Sequence, residues 1–108
     1  MMRSIFVAPL FVGLAFAPAL AADPAAGKAK VSGTCAVCHG VDGIAKVPDA
    51  PHLAGENAEY IIRQLQAFKA GTRQHAQMSI IAQGLSDDDI ANVAAWYSSI
   101  KISVTMPQ

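Results

Sequence analysis

Apolar and polar positions are unevenly spread along the chain. A nearly unbroken apolar run from Ile5 to Leu20 follows a lone charge at Arg3 and ends in Ala19-Leu20-Ala21. A short basic start, an apolar stretch and a small-x-small site are the marks of a secretory leader. The run also carries Pro9 and Pro18 and falls short of the roughly 20 residues a bilayer span needs. We therefore expect a leader over 1–21, a mature domain over 22–108 and no stable membrane anchor.

Beyond the leader the period is helical. Asp23-Pro24 is a cap and first-turn pair opening an alanine- and lysine-rich helix that runs to about Ser32 and ends near Gly33. From Asn57, Ala58, Ile61, Ile62, Leu65 and Phe68 recur on one helical face, and Gly71 supplies a stop. Ser86 can cap the amide of Asp89, opening a last helix whose apolar stripe is Ile90, Val93, Ala94 and Tyr97, with Lys101 expected in its final turn. Between the first two helices, Thr34 to Glu56 is broken by Gly40, Gly43, Pro48, Pro51 and Gly55 and predicts no regular structure. Residues 103–108 read as a tail. The pattern predicts a single all-α domain.

Composition sharpens this picture. Apolar residues make up 53% of the 108, but 16 of them lie in the leader, and 16 of the 41 left in the mature chain are alanine. Alanine adds little burial per residue, and a domain of 87 residues has a modest core. Something other than side chains should fill its centre. The whole chain carries 8 basic and 8 acidic residues; without Arg3, seven face eight, a net of −1. That balance argues against a nucleic-acid partner.

The chemistry lies in Cys35-Ala36-Val37-Cys38-His39. Two thiols at this spacing on a helical turn can add across the two vinyl groups of a heme, and the next histidine is placed to bind its iron. A thioredoxin-like pair would need a preceding strand. A zinc site would need four ligands, and His52 and His75 are not at finger spacing. A plain disulfide would explain neither His39 nor the small core. One covalent heme c, on Cys35 and Cys38 with His39 as metal ligand, is the reading.

The mature chain resembles a small bacterial class I cytochrome c, and one half of the diheme cytochromes built from two such units. The likeness spans nearly all of Asp23 to Ile100. It rests on Ala26-Gly27-Lys28, Cys-Ala-Val-Cys-His-Gly with Asp42-Gly43, Pro51-His52-Leu53-Ala54-Gly55, Tyr60, Gln64-Leu65, Phe68, Gly71, Arg73, Met78, Leu85-Ser86-Asp87 and the Ala-Ala-Trp-Tyr helix. The resemblance implies a class I cytochrome c fold, three to four main helices around one heme. It implies Met78, in a loop before the last helix, as second axial ligand, with His75 and His52 as rivals that otherwise have no assigned role. It implies that the Pro51 carbonyl orients the ligand histidine, where the alternative is a rigid turn residue. It implies that Gly27 lets the first helix cross the last closely, near Trp96; Val31 stands where the family often has an aromatic. Arg63 and Arg73 are the candidates for contacting the heme propionates, the alternative being solvated helix charges.

A heme with both axial positions filled by protein has no open site for a substrate. The resemblance therefore implies a soluble periplasmic one-electron carrier and not an enzyme. Its donor and acceptor would be redox proteins such as a respiratory complex, oxidase, reductase or dehydrogenase. A dedicated cytochrome subunit of a periplasmic dehydrogenase is the alternative, and a heme gas sensor or weak peroxidase a third. Near-neutral charge predicts docking through a small apolar patch including Ala36, Val37 and Ile44. N-terminal sequencing of the purified protein should begin at Ala22; a start at Met1 would refute the leader.

Overall fold

The computed structural model describes residues 8–9, 12–15 and 21–108. The expected leader over 1–21 lies mostly outside the described residues. Among the described residues there are five helices, in order α1 (Pro24–Thr34), α2 (Ala36–His39), α3 (Ala58–Ala70), α4 (Met78–Gln83) and α5 (Asp87–Ser99). No strand occurs among the described residues.

Each long helix starts on an acceptor side chain that satisfies an otherwise orphaned amide. Asp23 accepts from Ala25 N at 2.9 Å beside Pro24, and Asn57 accepts from Tyr60 N at 3.0 Å. Ser86 and Asp89 form a reciprocal capping box, both bonds at 3.0 Å. The Ser86 amide holds the Asp89 carboxyl below the usual carboxylate range, so the contribution of this bond is present at neutral pH and lost as acid protonates it.

Two expectations needed correction. Lys101 is not in the last turn of α5, because the helix ends at Ser99 and Ile100 is already extended (φ −71°, ψ 124°). The three to four main helices expected are met by the three long ones; what differs is that short α2 lies inside the segment read as irregular and short α4 occupies the loop expected to carry Met78.

The core is a cluster of Val31, Ile61, Leu65, Leu85, Ile90, Val93, Ala94 and Tyr97. It holds the apolar stripe expected of α5 in full, and Val31 is completely buried in it. Helix α1 packs on α5, and α3 packs on both α4 and α5. Gln83 Nε2 donates to the Lys69 carbonyl at 2.7 Å, while Lys69 Nζ reaches the Leu85 carbonyl, so α3 is tied to both ends of the α4–α5 turn.

The α1–α5 crossing depends on Gly27. It is buried, and a Cβ there would collide with the Asn92 carbonyl group and come within 3.0 Å of Trp96 Cβ. Asn92 also accepts from Asp23 N at 2.8 Å, fixing the start of α1 on α5. A backbone carbonyl cannot rotate away as a side chain could. Gly27→Val should lower unfolding stability by about 3 kcal/mol in chemical denaturation; unchanged stability would refute the close crossing.

Candidate functional site

The turn after α1 brings both thiols and the imidazole to one place. Cys35 closes α1 and begins α2, its amide bonded to Val31 O and its carbonyl accepting from His39 N, both at 2.9 Å. Both cysteines are free thiols and partly buried. Burial pushes the Cys35 thiol up to about 11, with the Lys30 ammonium pulling weakly the other way.

His39 is 9% exposed, and its Nδ1 lies 3.0 Å from the Pro51 carbonyl oxygen. A carbonyl can only accept, so Nδ1 carries the proton and Nε2 keeps its lone pair. The other two histidines have the opposite arrangement. His52 Nδ1 accepts from Ala45 N at 2.8 Å, and His75 Nδ1 accepts from Gln77 N and Met78 N, each at 3.2 Å. In their neutral rings the proton is therefore on Nε2. His39 alone of the three has the tautomer that offers a metal an Nε2 lone pair. Sequence reasoning gave His52 and His75 no role; both are backbone acceptors, which residue type and spacing do not reveal.

Pro51 reaches His39 because the irregular segment is folded back on itself. Gly43 (φ +73°) accepts from Leu53 N at 2.8 Å and Ala54 N at 3.0 Å, and a Cβ on it would strike the Ala54 backbone. Helix α5 holds the same segment. Tyr97 Oη donates to Gly40 O at 2.9 Å, Trp96 Nε1 donates to Val41 O at 2.8 Å, and Gly55 N donates to Tyr97 O at 2.9 Å. Burial pushes the Tyr97 phenol above its usual range, so it remains a donor.

Between these elements lies a cavity of about 340 Å³. Cys35, Cys38, His39 and Pro51 line it, as do Ile61, Leu65 and Phe68 from α3, Met78 and Ile81 from α4, and Val93 and Tyr97 from α5. His52 and His75 also reach its wall. Met78, expected in a loop, is the first residue of α4 and half-buried. Of the two arginines, Arg73 lines the cavity, its guanidinium 4.6 Å from the Phe68 ring centre and bonded to Gln64 Oε1 at 2.7 Å. Arg63 does not; it is exposed and lies 3.5 Å from Glu59 one helical turn earlier. A wider groove between Lys28, Asp42, Lys46 and Trp96 contains neither thiol nor His39.

These residues fit a covalent heme c. Cys35 and Cys38 stand one helical turn apart on the wall of a largely apolar cavity that His39 and Met78 also line. No three His, Cys, Asp or Glu side chains converge as metal ligands among the described residues, which separates the site from a zinc centre.

Residues 24–101 match the cytochrome c family. The chain is 48% identical over 82 residues to cytochrome c-554(548) of Halomonas halodenitrificans, covering 73% of this chain and 98% of that protein. It is similar to the reduced cytochrome c4 crystal structure from Pseudomonas stutzeri, with a TM-score of 0.69 and 41% identity over 78% of this chain and 48% of that one. It is also 36% identical over 69 residues to the thiosulfate dehydrogenase electron acceptor of Stutzerimonas stutzeri, covering 61% of this chain and 32% of that protein. The chain spans about half the length of the cytochrome c4 proteins it matches. With Cys-x-x-Cys-His on a helical turn, an oriented histidine and this all-helical frame, the chain belongs to the cytochrome c family and binds one covalent heme c.

Proposed function

We propose that the chain is a periplasmic one-electron carrier whose heme, attached at Cys35 and Cys38, is ligated by His39 and Met78. The observation that carries this reading is that the oriented His39 and the Met78 side chain line one apolar cavity. When bound, the heme supplies a one-electron iron couple.

The chain's own residues define how that couple is used. His39 Nε2 and Met78 Sδ would together hold the iron, which would leave it no open position for oxygen or a substrate. Ile61, Leu65, Phe68, Ile81 and Val93 exclude water from the cavity wall. A thioether ligand raises the potential relative to a second imidazole. Arg73, already on the wall, is placed to offer its guanidinium to a propionate, while Arg63 remains with Glu59.

Export by the leader over 1–21 would deliver residues 22–108 to the periplasm. No helix among the described residues is long and apolar enough to cross a membrane. Val37, 82% exposed, and Ile44, 45% exposed, offer apolar surface beside the heme-binding turn for a redox partner. A dedicated partnership with one dehydrogenase is the second reading, supported by the likeness to the thiosulfate dehydrogenase electron acceptor.

Met78→Ala should abolish the weak long-wavelength absorption of a methionine–iron bond in the oxidised protein and let the reduced protein bind carbon monoxide. Survival of that absorption would move the ligand elsewhere. Electron-transfer rates with a partner should change less than about threefold between low and physiological salt, because a near-neutral chain has little field to screen. A steep fall would contradict apolar docking.

A further inference from the structure

Helix α4 presents a problem that its own sequence does not solve. It has only six residues, and its cap position, Gln77, makes no side-chain capping bond. The first amides of a helix have no partner within it and need an external acceptor. Here the acceptor is an imidazole: His75 Nδ1 takes the amides of Gln77 and Met78, each at 3.2 Å.

The same histidine is held at three further points. Its backbone N–H donates to Ser79 Oγ at 3.0 Å, and its carbonyl accepts from Ser79 N at 3.0 Å. Its ring meets Phe68 edge-on, with centroids 6.5 Å apart and planes at 71°. Phe68 is a buried residue of α3 and forms part of the cavity wall. The backbone of Met78 is thereby tied through one imidazole to the wall it must face.

We propose that His75 is a positioning residue for Met78. By accepting the Met78 amide while braced on Phe68, it fixes the backbone from which the thioether reaches the iron. The inference rests on Met78 being the axial ligand. It also assigns His75 a role distinct from ligation, since the Nδ1 lone pair is used by two amides and the neutral ring's proton is on Nε2.

The test uses the oxidised holoprotein and added imidazole, which competes with methionine for iron. His75→Ala should bind imidazole about tenfold more tightly than wild type, the effect of losing two modest hydrogen bonds that favour the methionine-bound state. His75→Asn should stay within about twofold of wild type, because an asparagine oxygen can accept amides two and three residues ahead. Thermal melting of both variants separates this effect from loss of the fold. Wild-type imidazole affinity in His75→Ala would overturn the proposal. So would His75→Asn behaving like His75→Ala, which would assign the effect to packing against Phe68. A wild-type protein with no methionine–iron absorption would overturn the ligand reading itself, and the proposal with it; that result is distinct from an intact absorption with unchanged imidazole affinity.

Discussion

The hydrogen bond from His39 Nδ1 to the Pro51 carbonyl is the constraint around which the rest of the molecule is arranged. It fixes the ring's tautomer and orientation, leaves Nε2 unprotonated and makes that nitrogen more basic. It also has a structural cost, because Pro51 is twelve residues from His39 on a segment with no helix or strand to position it. The fold meets that need from a distance. Gly43 receives Leu53 and Ala54, while Trp96 and Tyr97 on α5 hold the carbonyls of Val41 and Gly40. Those aromatics are themselves placed by the close α1–α5 crossing at Gly27. A methyl group added at Gly27 would therefore disturb the setting of His39 without touching the cavity.

The three histidines illustrate how backbone partners assign roles to identical side chains. His39 faces a carbonyl and becomes a donor at Nδ1; His52 and His75 face amides and become acceptors there. No charge or unusual burial is required for that division. Met78 gains its place in a similar way, from a backbone held by a neighbour rather than from its own propensity. The apolar shortfall of an alanine-rich chain is consistent with this economy: the helices supply walls, and the heme supplies the centre.

What could be read from the sequence was local. Asp23-Pro24, Asn57 with Gly71, and Ser86 with Asp89 mark helix ends through contacts within a few residues, and the structure places the helices there. The Cys-x-x-Cys-His spacing pointed to heme on chemical grounds alone. Helix α4 was not legible, because six residues are too few for a period and the acceptor that opens it is a histidine, not a common cap. The shape of residues 40–57 was hidden for a different reason: it depends on bonds from α5 that span more than fifty residues. Arg63 and Arg73 look alike by type. The signal separating them was Glu59, four residues before Arg63 and ready to pair with it on the exposed face of α3.

An apolar cavity with His39 and Met78 on its wall suits the proposed task, in which only an electron moves. The measurement that tests this account most directly is a spectroelectrochemical titration of the purified holoprotein. A single one-electron wave is expected, with the methionine–iron absorption of the oxidised form fading at the same midpoint as the main heme bands change. A wave in which the two signals separate, or an oxidised spectrum without that absorption, would contradict it.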